Sequence, residues 1–133
     1  MATEEKKQVL VIEDERPLSE AIRIKLEQRG FTVCVARSLA GMLEVLNENL
    51  SIDAIWLDHY LLGKGSGLDI MEHLKGKLSN WNAIPVFVVT NTAGEDKRRT
   101  YMEFGVQKFY VKSQHRLDDI IEDIHERVSN HNE

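Results

Sequence analysis

The chain has 133 residues, which is the length of one ordinary domain, and its hydrophobic share of 42% is enough to form a core. Its formal net charge of −5 argues against nucleic-acid binding, which needs a clustered basic face. The single cysteine excludes an intrachain disulfide, and no apolar stretch is long enough to span a membrane or resembles a signal peptide. We therefore expect one cytoplasmic domain over residues 1–133, with its core at about 8–128 and no membrane or nucleic-acid partner.

Short apolar runs alternate with helical stripes along the chain. The first run, residues 9–12, is β-branched and has the length of a buried strand, and it ends at the acidic pair Glu13 and Asp14. The helix that follows begins near Pro17, which the first helical turn tolerates, and it ends at Gly30. Its apolar face consists of Leu18, Ala21, Ile22 and Leu26.

The alternation continues through the middle of the chain. Residues 32–36 form a second strand, Ser38 caps a second helix, and residues 54–57 form a third strand that ends at Asp58. The second helix has an apolar face made of Leu39, Met42, Leu43 and Leu46. A glycine-rich loop, residues 63–67, leads into a third helix. Its inward-facing side chains are Leu68, Met71 and Leu74.

Two more strand–helix units complete the chain. Pro85 opens a fourth strand that ends at Thr90, and a fifth strand, residues 109–111, ends at Lys112. The helix between them, at about residues 95–104, has few apolar residues and is expected to be weakly held. The last helix has a clean apolar stripe that consists of Leu117, Ile120, Ile121, Ile124 and Val128.

This order of elements predicts an α/β fold, namely a flavodoxin-like, doubly wound (βα)5 sandwich. Nearly all-apolar strands are typical of a parallel sheet that is covered on both faces. Right-handed crossovers make every strand point the same way, so all carboxyl ends lie along one edge. With the strand order 2-1-3-4-5, the switch point lies between strands one and three, which is where open α/β sheets bind ligands.

Four of the five predicted strands end in polar side chains that can bind ligands or take part in a reaction. Each has an ordinary explanation on its own: Asp14 could cap the first helix, Thr90 could be a turn residue, and a lysine is usually solvated. Together they indicate a site, because Glu13, Asp14 and Asp58 cannot crowd together unless a cation such as Mg²⁺ neutralises them. The hydroxyl of Thr90 and the charge of Lys112 then suit a phosphoryl group transferred to Asp58.

In this order and at these spacings the motifs resemble the receiver domain of two-component response regulators, over about residues 8–128. The family's acidic motif is similar to VLVIEDE at residues 9–15, and its phosphoacceptor motif to IWLD at residues 55–58. Its hydroxyl motif is similar to PVFVVT at residues 85–90, and its lysine motif to GVQKFYVK at residues 105–112.

The resemblance implies a chemistry for the site. Asp58 would accept a phosphoryl group from a phosphohistidine on a histidine kinase or a histidine phosphotransfer protein. The cofactor would be Mg²⁺, which Asp14 and Asp58 would bind directly and Glu13 mostly through a water. The backbone carbonyl of Tyr60 would supply a further metal ligand.

The resemblance also implies how phosphorylation of Asp58 would change the protein surface. Thr90 and Lys112 would bind the aspartyl phosphate, and Phe109 would act as the switch aromatic, which changes rotamer as the threonine moves inward. Phosphorylation would thereby reshape the face made by helix four, strand five and helix five. We expect a monomer or a weak, phosphorylation-dependent dimer. The output partner stays open, and so does the choice between a stand-alone regulator, a phosphorelay carrier and a receiver excised from a larger protein.

A few positions depart from the family's pattern. Leu62 stands where a proline often follows the phosphoacceptor loop. Ser113 replaces the proline after Lys112, whose bond is typically cis; a cis Lys–Ser bond would cost roughly 3 kcal/mol more than trans, so we expect this loop to differ. Asn91 is bulkier than the small residue usual after the threonine and is expected to narrow water access to the phosphoryl group. His59 lies in the loop beside Asp58 and is a second candidate for modulating access.

Two other functions remain open from the sequence alone. The first is a Mg²⁺-dependent phosphohydrolase with an aspartate nucleophile, although the sequence shows no cap domain and has Tyr60 where such enzymes carry a second acid. The second is a degenerate receiver that only binds proteins, and the complete set of acidic, hydroxyl and lysine residues argues against it.

Overall fold

The computed structural model describes residues 6–48, 51–58, 67–76, 79–91 and 94–129. Within these ranges the strands are β1 (Gln8–Ile12), β2 (Thr32–Ala36), β3 (Ala54–Asp58), β4 (Val86–Thr90) and β5 (Lys108–Val111). The helices are α1 (Arg16–Gln28), α2 (Leu39–Asn47), α3 (Gly67–Lys75), α4 (Glu95–Phe104) and α5 (Leu117–Ser129). A short 3₁₀ turn (Lys112–Gln114) connects β5 to α5. Each predicted element is present, in the predicted order and with closely similar bounds.

The strands form one parallel sheet in the order β2-β1-β3-β4-β5, as predicted. Ile12 of β1 is in register with Leu57 of β3, so the acidic pair after β1 begins level with Asp58. Thr90 of β4 is in register with Val111 of β5, which places Lys112 one residue beyond it. The sheet therefore brings all the predicted chemical residues to its carboxyl edge.

Alternate strand residues pack on opposite faces of the sheet, as the two-residue period of a strand requires. The layer beneath α2, α3 and α4 contains Leu10, Ile12, Ile55, Leu57, Val88 and Phe109. The layer beneath α1 and α5 contains Val9, Val11, Ala54, Trp56, Phe87 and Tyr110. Coverage is incomplete at the β2 edge, where Val35 remains 37% exposed.

Local signals account for several helix boundaries. The Ser38 side chain caps α2 by accepting a hydrogen bond from the Gly41 amide at 3.1 Å, as predicted. Gly30, just after α1, has a positive φ of 102°, a conformation that favours glycine. The N-cap of α1 is Glu15, without a side-chain cap bond, so Asp14 is not the cap of this helix.

Helix α4 is present where the sequence predicted a weakly held helix. Its single fully buried side chain within the described residues is Tyr101, which packs into the layer beneath α2, α3 and α4. None of the helices in the described part of the chain combines the length and apolarity needed to cross a bilayer.

Candidate functional site

Three carboxylates meet at the carboxyl edge of the sheet. The Glu13 amide donates to the Ala36 carbonyl at 3.0 Å, so the chain keeps its strand register one residue past β1. Glu13 and Asp58 are buried, at 2% and 5% exposure, whereas Asp14 is half-buried. One carboxylate oxygen from each of the three lies within 4.8 Å of the others. The convergence predicted from the strand order is therefore present.

The environment of Glu13 disfavours its charged form. Burial, followed by repulsion from the Asp58 carboxylate and a hydrogen bond shared with it, raises the pKa of Glu13 from its ordinary value of 4.5 to about 8. The Glu15 amide, which donates to Glu13 Oε2 at 3.2 Å, and the Lys112 ammonium act in the opposite direction. Without a bound cation, the two buried carboxyl groups, Glu13 and Asp58, therefore retain one proton between them.

The donor set fits a hard divalent cation. Glu13 Oε1 is fully buried, and no hydrogen-bond donor from the described residues reaches it. A buried carboxylate oxygen without a donor is costly unless a cation compensates it. Three carboxylates with one oxygen each within 4.8 Å of the others offer the oxygen ligands that Mg²⁺ prefers.

Lys112 supplies positive charge beside the two buried carboxylates. Its Nζ lies 3.9 Å from Glu13 Oε1 and 3.9 Å from Asp58 Oδ1, and its side chain is 25% exposed. These distances exceed a hydrogen bond, so the ammonium is held by charge rather than by direct donation. Thr90, fully buried at the end of β4, stands on the strand next to Asp58. A phosphoryl group on Asp58 would thus lie beside one cation and one hydroxyl-bearing strand end.

The predicted switch aromatic is buried in this structure. Phe109 is 8% exposed, and its ring lies 5.7 Å from the ring of Tyr101, centroid to centroid. The Arg98 guanidinium lies 6.0 Å from the Phe109 centroid and covers the ring from α4. A groove of about 400 Å³ runs beside Phe109 between the start of α4 and the end of β5. The aromatic is thus packed inward, beneath Arg98.

Some of the remaining predicted residues lie outside the described part of the chain, and the structure places the others. Tyr60, His59 and Leu62 lie outside the described residues. Asn91 is exposed and directly follows Thr90. No peptide bond in the described ranges is cis, so the Lys112–Ser113 bond is trans, and the chain forms a 3₁₀ turn there.

Two features of the site have no counterpart in the sequence prediction. Arg37, directly after β2, donates through Nη2 to the Asp14 carbonyl at 2.9 Å and so ties the acidic loop to the neighbouring strand end. The position of Arg37 at the carboxyl end of a strand could have marked it as a site residue. The sequence prediction omits it because β2, unlike β1 and β3, contributes no acidic residue. Tyr110 and His115 form a ring contact across the turn that carries Lys112, and only the folded turn reveals this contact.

Comparisons with known proteins identify the family to which this fold belongs. The family model described as the response regulator receiver domain matches residues 9–125. The chain is 36% identical over 106 residues to the phosphate regulon transcriptional regulatory protein PhoB of Escherichia coli, covering 80% of this chain and 45% of that protein. It is 29% identical over 104 residues to the transcriptional regulatory protein CpxR of Escherichia coli, covering 78% of this chain and 42% of that protein. The chain thus spans less than half the length of these curated relatives.

Solved structures show the same architecture. A response regulator receiver protein from Pseudomonas putida has a TM-score of 0.84 at 22% identity, covering 93% of this chain and 99% of that one. The non-phosphorylated HemR receiver domain from Leptospira biflexa has a TM-score of 0.76 at 28% identity, covering 92% and 94%. With a family model that covers most of the sequence and the acidic, hydroxyl and lysine residues at one sheet edge, the chain belongs to the response regulator receiver domain family.

Proposed function

We propose that this domain is a phosphoryl-accepting switch of a two-component system or phosphorelay, with Asp58 as the acceptor. The observation that carries the proposal is the meeting of three carboxylates with Lys112 at the switch point of the sheet. The proposed phosphoryl donor is a phosphohistidine on a histidine kinase or a histidine phosphotransfer protein. A buried Asp58, 5% exposed, is shielded from most water but lies at the sheet edge that a donor can approach.

Asp58 is the nucleophile in this proposal. One of its carboxylate oxygens attacks the phosphorus, and the new O–P bond forms as the P–N bond to the donor imidazole breaks. The bonding electron pair stays on the imidazole nitrogen, which takes up a proton. Glu13, Asp14 and Asp58, together with the backbone carbonyl of Tyr60, are the proposed Mg²⁺ ligands, with Glu13 acting mostly through a water. When bound, Mg²⁺ supplies positive charge to the carboxylates and to the phosphoryl oxygens.

Lys112 and Thr90 bind the product state. The Lys112 ammonium, 3.9 Å from Asp58 Oδ1, meets the negative charge on the transferred group. The Thr90 hydroxyl donates a hydrogen bond to a phosphoryl oxygen. Thr90 ends β4 in register with Val111, the residue before Lys112, so both residues stand at neighbouring strand ends of the sheet's carboxyl edge.

In this proposal, Phe109 couples the phosphorylation of Asp58 to a change at the protein surface. An inward shift of Thr90 changes the space available to this ring, which packs against Tyr101 and beneath Arg98. The surface formed by α4, β5 and α5 thereby changes with the state of Asp58. The output partner is a protein that reads this surface.

Beryllofluoride with Mg²⁺ tests the proposal, because it occupies the position of a phosphoryl group on a carboxylate. We expect shifts in amide NMR signals around Asp58 and along β5, and no such shifts in the Asp58→Asn variant. Steady turnover of phosphate esters would instead indicate a phosphohydrolase. The absence of any response would indicate a receiver that acts only as a protein-binding module.

Asn91 is proposed to limit the loss of the phosphoryl group. This exposed side chain follows Thr90 directly, at the same carboxyl edge of the sheet as Asp58. Asn91→Ala is expected to speed hydrolysis of phospho-Asp58 by about two- to fivefold, since the site admits more water. The decay of the phosphorylated fraction after removal of the donor measures this, with Asn47→Ala, at the exposed last residue of α2, as the matched control. An unchanged lifetime of phospho-Asp58 in the Asn91→Ala variant would show that Asn91 does not limit hydrolysis.

A further inference from the structure

Lys112 is the first residue of a short turn that connects β5 to α5. The turn consists of Lys112–Gln114, and none of these residues is buried. Its first peptide bond is trans, and Ser113 leaves it without the rigid ring of a proline. Even so, the turn must place the Lys112 ammonium 3.9 Å from Asp58. The restraint on this turn therefore has to come from the residues that flank it.

Two aromatic rings close the turn. Tyr110, two residues before Lys112, and His115, directly after the turn, have ring centroids 5.0 Å apart with planes at 81°. This is the edge-to-face geometry that aromatic pairs favour. Tyr110 is 3% exposed and packs in the layer beneath α1 and α5, whereas His115 is exposed. The contact thus joins the end of the turn to a ring that is packed in the core.

Tyr110 is in turn anchored to α5. Its hydroxyl donates to Asp123 Oδ2 at 2.7 Å, and the same oxygen accepts from Lys108 Nζ at 3.2 Å. Burial, followed by the contact with Asp123, raises the pKa of Tyr110, so the phenol remains a neutral donor. The strand before the turn and the helix after it are therefore joined by one shared carboxylate.

We propose that Tyr110 and His115 are positioning residues that hold the 112–114 turn so that the Lys112 ammonium reaches the group carried by Asp58. The inference rests on the proposed function, since the phosphoryl group on Asp58 is what Lys112 would bind. A displacement of about 1 Å of a charge-stabilising group is enough to slow a reaction markedly. Neither ring touches the reacting atoms, so both act through the position of Lys112.

His115→Ala tests this directly, because His115 is exposed and its loss removes little buried area. We expect the rate of phosphorylation by acetyl phosphate to fall about tenfold while Mg²⁺ affinity changes by less than about twofold. His115→Phe keeps the edge-to-face contact and should restore the rate. Tyr110→Phe keeps the ring but loses the bond to Asp123, and should give an intermediate rate. His73→Ala, which removes an exposed histidine of α3, is the matched control and should match the parent protein.

Amide hydrogen exchange at residues 112–115 provides a readout that needs no phosphorylation. The proposal predicts exchange about fivefold faster in His115→Ala and parent-like exchange in His115→Phe. If the parent protein takes up no phosphoryl group but these exchange rates change as stated, the proposed function fails and the ring contact still holds the turn. If the parent protein is phosphorylated and His115→Ala matches it in rate and in exchange, the positioning role is overturned. Equal losses of Mg²⁺ binding and phosphorylation would likewise overturn it, since they would show a general structural effect.

Discussion

Replacing Lys112 with methionine is expected to slow phosphoryl transfer to Asp58 by about 10²–10³-fold, the usual effect of removing one charge-stabilising group from a reacting centre. The Lys112 ammonium lies 3.9 Å from Asp58 Oδ1 and is the cation that the folded chain itself places there. Methionine keeps the length and apolar stem of the side chain but carries no charge. The rate is measured as the gain of one phosphoryl mass with time in acetyl phosphate and Mg²⁺.

The same substitution should leave metal binding intact or strengthen it. Lys112 also lies 3.9 Å from Glu13 Oε1, so it competes with a cation for the same carboxylates. Mg²⁺ titrations followed by tryptophan fluorescence are informative, since Trp56 is buried on β3 two residues before Asp58. Lys25→Met, which removes a lysine paired with Asp118 on the surface, is the matched control. A Lys112→Met protein phosphorylated at the parent rate would contradict the role given to Lys112.

Metal-free protein is expected to lose stability as pH rises from about 5 to 8. The pKa of Glu13 is 4.5 ordinarily and about 8 in the fold, so between these values the folded state keeps a proton that the unfolded state has released. The unfolded state then binds fewer protons, and the free energy of unfolding falls as pH rises until the folded group has also ionised. Urea denaturation with a chelator at pH 5.5, 7 and 8.5 measures this slope.

Asp58→Asn should lessen that slope without abolishing it, since burial still raises the pKa of Glu13, and should raise metal-free stability at pH 8.5 by about 1–3 kcal/mol by removing the charge that faces Glu13. Excess Mg²⁺ should reverse the trend in the parent protein, since the ligands bind metal only when deprotonated. Asp119→Asn, an exposed carboxylate on α5, is the control and should leave the slope unchanged. A parent protein whose metal-free stability increased steadily over this pH range would contradict the burial argument.

The fold could be predicted from the sequence because its signals are local and repeated. The apolar runs that became β1 and β3 end at Ile12 and at Asp58, and their parallel pairing needs only the right-handed crossover rule. Ser38 marked the start of α2 by a capping bond that the structure contains. Once the strand order is known, the meeting of the strand-end residues follows from register.

The parts of the site that escaped prediction depend on side-chain directions between distant elements. Nothing in the spacing of Arg37 says that its guanidinium reaches the Asp14 carbonyl across the β2–β1 edge. Likewise, the inward packing of Phe109 depends on its contacts with Tyr101 and Arg98 of α4. A sequence motif does not specify the rotamer that these contacts select. The raised pKa of Glu13 also required the folded chain, since it arises mainly from burial.

The chemistry and the stability of this domain are thus linked through the same carboxylates. Glu13 and Asp58 are buried side by side, which is unfavourable for a metal-free fold and suitable for one that binds a cation. Such a cost at a functional site is compensated elsewhere, here by an apolar sheet packed on both faces.

Mass spectrometry after incubation with acetyl phosphate and Mg²⁺ shows whether Asp58 accepts a phosphoryl group. We expect the intact protein to gain one phosphoryl group, and borohydride reduction followed by digestion to place it on Asp58. A chelator should abolish the gain, and Asp58→Asn should show none at that position. A phosphoryl group found on another residue, or equal labelling of the Asp58→Asn variant, would contradict the account.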